Sequence, residues 1–211
     1  MNYEILVNKE NPIEVEYLNQ VIIPNLEEVQ FFRDNDDIFE DFKITDKKIF
    51  LEKQTKIAFY ELRKFLNKQG ILFDICSGYL SLENQKNKYN SFLERNGEAL
   101  TKNRIPMPGC SEHHTGLAID CDFYKDGDWA GICPLEDGTE NEETKYIHSI
   151  LSDFGFVLRF PKNKTNITGM QYEPWHIRYV GKELAKKLES ENKTLEEYYI
   201  EFGYIKGQIK K

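Results

Sequence analysis

Seven residues in the middle of the chain, Leu117 to Phe123, alternate strictly in character. Leu117, Ile119, Cys121 and Phe123 fall on one side, and Ala118, Asp120 and Asp122 on the other. Successive side chains of an extended strand project to opposite faces, so this segment is predicted to be a strand with an apolar face on a core and an acidic face opposite. Whatever surrounds it must cover one face of a sheet and leave the other for polar groups.

The flanking sequence supplies elements of both kinds. From Lys48 a helix is expected, with Ala58, Leu62, Phe65 and Leu66 in an apolar stripe and Gly70 at its end. Ile71 to Cys76 reads as a buried strand stopped by Ser77-Gly78. Ser81 then caps a helix from Leu82 to about Arg95, closed by Asn96-Gly97. Residues 98–116, with Pro106, Pro108, Gly109 and Gly116, are expected to be irregular. A loop to about Asn141 leads to a helix striped by Ile147, Ile150, Leu151 and Phe154, with Thr139 and Glu142 at capping-box spacing and Gly155 at its end. Strands are expected at 156–160 and 175–180, and a last long helix from about Gly181. Helices and strands mix without regular βαβ alternation, which predicts an α+β fold: a small antiparallel sheet flanked by helices. No linker divides the chain, so residues 1–211 are expected to be one domain, with 1–47 an N-terminal extension packing on the rest. Within that extension stand one apolar run, Val21-Ile22-Ile23-Pro24, and an acidic stretch, Asp34 to Asp41, that reads as solvated surface.

Composition narrows the partners. The chain has 36 acidic and 28 basic residues and a formal charge of −8, which disfavours nucleic acid or an anionic membrane, since both reward clustered Lys and Arg. An apolar fraction of 40%, with 14 Phe, 12 Tyr and 2 Trp, supports a packed core over disorder. No run approaches the ~18 apolar residues of a membrane span. The opening MNYEILVNKENPIEVEYL has no apolar signal core, so the expected location is the cytoplasm. Cys76, Cys110, Cys121 and Cys133 are accordingly expected to be free thiols.

Only four histidines occur, and their placement is informative. His113 and His114 lie in Ser-Glu-His-His-Thr-Gly just before the alternating strand, and His176 lies in Glu-Pro-Trp-His. A catalytic zinc site takes three protein ligands and keeps a position for water. His113, entering the strand, Asp120, on its acidic face, and His176, from a neighbouring strand, could supply that set. A base must take a proton from the water so activated, and Glu173, three residues before His176, is the candidate. In an unbroken strand positions 173 and 176 face opposite sides. Pro174 places a bend there, with the strand starting at Trp175. A closed structural zinc site of Cys110, His113, Cys121 and His176 is the competing reading, although alternation sets Cys121 on the apolar face. His114 reads as a neighbour of the site, and His148 as a surface residue.

These residues carry a family resemblance. SEHHTGLAID (Ser111–Asp120) fits the S-x-H-x-x-G-x-A-x-D motif of the zinc D-alanyl-D-alanine peptidases, and YEPWHIRYVG (Tyr172–Gly181) fits their E-x-W-H segment. SGYLSLENQ (Ser77–Gln85) resembles their S-G-Y-R-S-x-x-x-Q segment, and LVNKENP (Leu6–Pro12) the start of their domain. The chain is most similar to the VanY-type carboxypeptidases and the VanXY-type dipeptidase/carboxypeptidases of vancomycin resistance. The resemblance implies the α+β fold shared with the Hedgehog signalling domain. It implies Zn2+ held by His113, Asp120 and His176, Glu173 as general base, and a small peptide substrate ending in D-Ala-D-Ala. Ser111 and Gln85 become substrate contacts, with Tyr79, Trp175 and Arg178 beside them. One departure stands out: the arginine of S-G-Y-R is Leu80 here; Arg178, on the His176 face by alternation, and Arg159, after the preceding strand, are the candidates to take its place, and the sequence leaves the choice open. A cell-wall L,D-carboxypeptidase or endopeptidase of the same fold, and a non-catalytic zinc-binding module, are the rival functions.

Overall fold

Residues Ala118–Phe123 form a strand (β4), as their alternation predicts, and it takes an inner position in a four-stranded antiparallel sheet. The computed structural model describes residues 1–31, 48–135 and 138–203; the acidic stretch Asp34–Asp41 lies outside them. The sheet has the order β3-β4-β6-β5, with β3 at Phe73–Ser77, β5 at Phe156–Leu158 and β6 at His176–Tyr179. Ile119, Cys121 and Phe123 join Phe73, Ile75, Phe156 and Ile177 in the main core. Asp120 and Asp122 stand on the other face, but neither is freely solvated. Asp122 is buried and its carboxylate accepts the Ile132 amide at 2.9 Å.

Helices cover the apolar face. A short helix, α1 (Val15–Tyr17), lies near the chain start. The principal cover is α2 (Lys53–Lys68), whose Ala58, Phe59, Leu62 and Leu66 enter the core; Phe65, expected in the stripe, stays exposed. The helix begins five residues later than Lys48. Ile49–Glu52 forms strand β2, which pairs with β1 (Leu26–Val29) in a separate two-stranded sheet. The reason lies in Ile49 and Leu51, alternate residues that are both buried, and in Glu52, whose carboxylate accepts the Gln54 and Thr55 amides and so fixes the helix start.

Three further boundaries differ from expectation. Helix α3 (Leu82–Thr101), capped by Ser81 as expected, passes beyond Arg95. At Gly97 the backbone leaves the helix (φ 75°, ψ 168°), then resumes it for one turn. Helix α4 (Glu142–Ile150) is capped by Asn141, whose side chain accepts the Thr144 amide, rather than by Thr139. After the single-turn α5 (Thr165–Thr168), the expected long last helix is two, α6 (Lys182–Ser190) and α7 (Leu195–Glu201). The break is set by Thr194 and Glu197, which form a complete capping box. Leu6 packs with Val180, Leu184, Leu188 and Leu195, which ties the chain start to this C-terminal pair. No helix among the described residues is long and apolar enough to cross a membrane.

Candidate active site

The polar face of the sheet gathers the chemistry. In the β4–β6 ladder Asp120 is the direct partner of His176, and in the β3–β4 ladder it is the partner of Ser77, next to a bulge after Ile75. His113 arrives from a 3-10 turn, Glu112–Thr115, that runs straight into β4. Two glycines make this approach possible. Gly116 ends the turn at φ +68°, and a Cβ there would lie 2.8 Å from Leu26 Cδ2 and 2.9 Å from the Glu52 amide nitrogen. A Cβ on Gly78 would meet the Phe50 carbonyl at 2.6 Å. That close packing holds the Gly78 carbonyl where it accepts the His113 Nδ1 hydrogen at 2.6 Å.

With Nδ1 occupied, His113 presents Nε2, which lies 3.3 Å from Asp120 Oδ2. His176 presents Nδ1, 2.9 Å from Asp120 Oδ1. The two imidazoles stand at right angles with centroids 5.0 Å apart, and the carboxylate reaches one with each oxygen. All three ligand atoms lie within 4.8 Å of one another. Two imidazole nitrogens and a carboxylate, arranged around one point and reaching solvent through Asp120, whose side chain is 17% exposed, form a donor set that suits zinc with a free coordination position. Among the described residues this is the one cluster of three or more such ligands, and no cysteine enters it. Cys121 sits in the core and its Sγ donates to the Trp175 carbonyl at 3.2 Å, so the cysteine-containing alternative has no geometry here.

Electrostatics reinforce the cluster. Burial opposes ionisation of Asp120, yet the charge of His113 and hydrogen bonds from both histidines hold its carboxyl well below the usual range. Burial likewise disfavours charge on His176, but its hydrogen bond to Asp120 and the nearby Glu112 carboxylate push it up to about 9. Glu173 behaves oppositely: burial dominates, and its carboxyl is pushed up to about 7.

Glu173 stands where the bend requires. The His176 amide donates to the Glu173 carbonyl at 3.1 Å, closing a turn through Pro174, and the Glu173 amide donates to Phe160 at 3.2 Å. The strand starts at His176, and Glu173 Oε2 lies 3.9 Å from His176 Nδ1. His148, expected at the surface, is half-buried beneath this turn. Its Nε2 donates to the Pro174 carbonyl at 2.9 Å while Nδ1 faces Glu140 at 3.5 Å. His114 is fully buried and holds two loops together. It accepts the Gly109 amide at Nε2, so the Nδ1 hydrogen goes to the Leu80 carbonyl at 2.7 Å.

The expected substrate contacts divide. Gln85 is buried near the site, its Nε2 donating to the Pro106 carbonyl at 2.6 Å and its Oε1 left without a partner. Ser111 is buried at the start of the 3-10 turn, and Tyr79 is half-buried beside Leu80. Trp175 packs against the core rather than joining the ligand cluster. Arg178 cannot serve as the substitute for the arginine missing at Leu80. It shares the face of His176 but is wholly buried, with Nη1 on Glu112 and Nη2 on the carbonyls of Tyr3 and Ile5. Arg159 is equally committed, to Glu112 and Glu196. The positive charges felt by Glu173 outside its own strand are instead Lys88 and Arg104. Glu112, unremarked in the sequence, turns out to be the centre of this buried network; its position beside His113 was the one available signal.

Known proteins resemble this chain in sequence and fold. Residues 48–182 match the family described as VanY: D-alanyl-D-alanine carboxypeptidase. The Bacillus subtilis protein YodJ is 32% identical over 201 residues, covering 94% of this chain and 67% of its own length. The bifunctional D-Ala-D-Ala dipeptidase and carboxypeptidase VanXYC of Enterococcus gallinarum is 38% identical over 125 residues, 59% of this chain and 65% of that protein. The chain thus spans about two thirds of the length of these relatives. Among solved structures, the LD-carboxypeptidase LdcB superimposes with a TM-score of 0.73 at 29% identity, covering 92% of this chain and 84% of its own. A vancomycin-resistance D,D-pentapeptidase VanY in complex with Zn(II) superimposes with a TM-score of 0.70 at 26% identity, covering 94% and 99%. The match over most of the chain, together with the His113, Asp120, His176 and Glu173 arrangement, places the chain in the VanY family of D-alanyl-D-alanine carboxypeptidases.

Proposed function

We propose that this chain is a zinc-dependent D,D-peptidase that hydrolyses the bond between two terminal D-alanines, in the free dipeptide, in the peptide tail of a peptidoglycan precursor, or in both. The observation that carries the reading is the buried Glu173 carboxyl, pushed up to about 7 and set 3.9 Å from one nitrogen of the His113, Asp120, His176 cluster. A purely structural metal site has no use for such a group. Zinc held there would polarise the scissile carbonyl and bring the pKa of a bound water to roughly 7. Glu173 then does the proton work. It accepts the proton of the attacking water as the new C–O bond forms and delivers it to the amine nitrogen as the C–N bond breaks. His113, oriented through its second ring nitrogen by the Gly78 carbonyl, holds its side of the ligand set rigid. Gln85, Ser111 and Tyr79 are proposed to line the peptide, a role supported for Gln85 by its unpartnered buried oxygen. Loss of the terminal D-alanine would remove the group that vancomycin binds, so a resistance role follows from the same chemistry.

The second reading, an L,D-carboxypeptidase, is favoured by one observation: the superposition on LdcB. One assay separates them. Purified protein with zinc is offered free D-Ala-D-Ala, a precursor pentapeptide ending in D-Ala-D-Ala, and a tetrapeptide whose last bond joins an L-residue to D-Ala, with released D-alanine measured. Release from either of the first two supports the proposal. Release from the tetrapeptide alone transfers the assignment to the second reading. No release from any of them, with zinc bound, leaves a zinc-binding module without this activity.

A further inference from the structure

Behind the ligand cluster, two buried polar atoms face each other without a hydrogen-bond partner: Glu112 Oε2 and His176 Nε2, 3.8 Å apart. Both side chains are almost fully withdrawn from solvent, at 2% and 5% exposure. A buried carboxylate oxygen without a donor carries a substantial desolvation cost, so its surroundings need an explanation.

Glu112 is held in place by its other oxygen. Oε1 accepts Arg159 Nε and Arg178 Nη1, each at 2.8 Å. Arg159 spends its remaining nitrogens on a two-pronged contact with Glu196 at 2.8 and 2.6 Å, and Arg178 spends its own on backbone carbonyls. Ion pairing with the two arginines thus accounts for Oε1 and leaves Oε2 aimed at the His176 ring.

The ring has one use for that oxygen. A neutral imidazole carries hydrogen on one nitrogen and a lone pair on the other, and the hydrogen-bond partner selects which. An acceptor at Nε2 draws the hydrogen there and leaves the lone pair on Nδ1, the nitrogen that faces Asp120. A tilt that shortens the gap by about 1 Å makes the bond. We infer that Glu112 is the positioning carboxylate of His176, taking its Nε2 hydrogen and thereby fixing Nδ1 as the nitrogen offered to the metal. His113 is oriented differently, by the neutral Gly78 carbonyl. The two imidazoles of one site therefore differ in basicity, because a carboxylate partner raises a ligand's electron donation more than a carbonyl does. Through Arg159 and Glu196 the orientation of His176 also depends on the docking of α7, and through Arg178 on the chain start at Tyr3 and Ile5.

This inference rests on the zinc reading of the cluster, and the experiment keeps the two apart. Zinc is first titrated into metal-stripped wild-type protein; no binding overturns the site itself. In the zinc-loaded wild type, long-range proton–nitrogen correlation spectra then report which His176 nitrogen carries hydrogen. The expected result is hydrogen on Nε2, slow to exchange with solvent, and metal on Nδ1. Hydrogen on Nδ1, or a fast-exchanging Nε2 hydrogen, overturns the role of Glu112 while leaving the site intact. Glu112→Gln keeps an acceptor without the charge, and Glu112→Met removes both. Zinc affinity is expected to fall about tenfold in the first and up to about a hundredfold in the second, beyond any loss of thermal stability. Folded variants that bind zinc as tightly as wild type would reduce Glu112 to a partner of the arginines. Where the substitutions prevent folding, the wild-type spectra alone decide.

Discussion

Asp120 and His176 stand directly opposite each other on neighbouring antiparallel strands, with Oδ1 and Nδ1 2.9 Å apart. Cross-strand partners share a face and move together, so the sheet ladder itself fixes two of the three ligand atoms. Only His113 depends on a separate turn. Loss of a ladder ligand should therefore remove metal without disturbing the third ligand's support. Purified protein is expected to hold about one zinc per chain, and His176→Ala to lose most of it. A Cys110→Ser, Cys121→Ser double variant should keep its metal. Metal content by atomic absorption checks both, and full zinc in the His176 variant would refute the ligand set.

Glu173→Gln is expected to keep zinc and fold while D-alanine release drops by ~10²–10⁴-fold or more, since the proposed function has this one group serve as both base and acid. The same substitution carries a pH signature in metal-stripped protein. Burial raises the Glu173 carboxyl from about 4.5 to about 7, so the folded state favours the neutral acid. The penalty for ionising it is absent below pH 4.5, grows through the interval, and is complete above pH 7. Glutamine removes that penalty, worth on the order of 3 kcal/mol. Glu173→Gln should thus unfold at higher denaturant concentration than wild type at pH 8 and at nearly the same concentration at pH 4.5. An equal difference at both values would show that ionisation of this carboxyl is not the cause.

The buried ion network makes a separate demand. Removing one partner of a buried charged pair leaves the other uncompensated, at a typical cost of about 3–5 kcal/mol. Arg159→Met should lose stability of that order, because Glu112 and Glu196 both keep their charge while the guanidinium between them goes. Equilibrium urea unfolding measures it. A change below about 1 kcal/mol would mean the arginine is held by packing alone.

How far this site could be read beforehand depends on the range over which each residue is specified. Asp120 was legible because strand alternation is local, and Glu173 because a proline announces the bend that turns it toward His176. Glu112 was not. A glutamate beside a histidine in a loop reads as solvated, and the two arginines that bury it lie 47 and 66 residues further on. Arg178 was a candidate for the substrate on the strength of its face alone, and Arg159 on its place after a strand; alternation gives direction but not what the direction meets. The β1–β2 pair was missed for a related reason. Four residues at Ile49–Glu52 continue into a helix with no turn signal, and only pairing with Leu26–Val29 makes them a strand.

His148 offers the last test, because its hydrogen bond reaches the Glu173–His176 turn from below without touching the hydrogen bonds of the proposed metal ligands. Its Nε2 donates to the Pro174 carbonyl, the residue directly after Glu173, and Glu140 lies behind it at 3.5 Å. Proline contributes no amide hydrogen, so the 173–176 turn is closed by the His176 amide and braced by this side-chain donor on Pro174 and by Cys121 Sγ on the Trp175 carbonyl. Burial lowers the pKa of His148, which keeps the ring neutral around pH 7, and a carbonyl partner assigns its hydrogen to Nε2. Removing the donor should let the turn shift by a fraction of an ångström, enough to misplace a proton acceptor but not a peptide held elsewhere. His148→Ala is accordingly expected to lower kcat by about tenfold with KM changed less than about threefold and zinc retained. His148→Gln, whose amide nitrogen can still donate to the carbonyl, should recover part of the rate. Steady-state kinetics on D-Ala-D-Ala for both variants decides the matter. A rise in KM with kcat unchanged would place His148 with substrate binding, and equal loss in both variants would show that the ring's packing, not its hydrogen bond, supports Glu173.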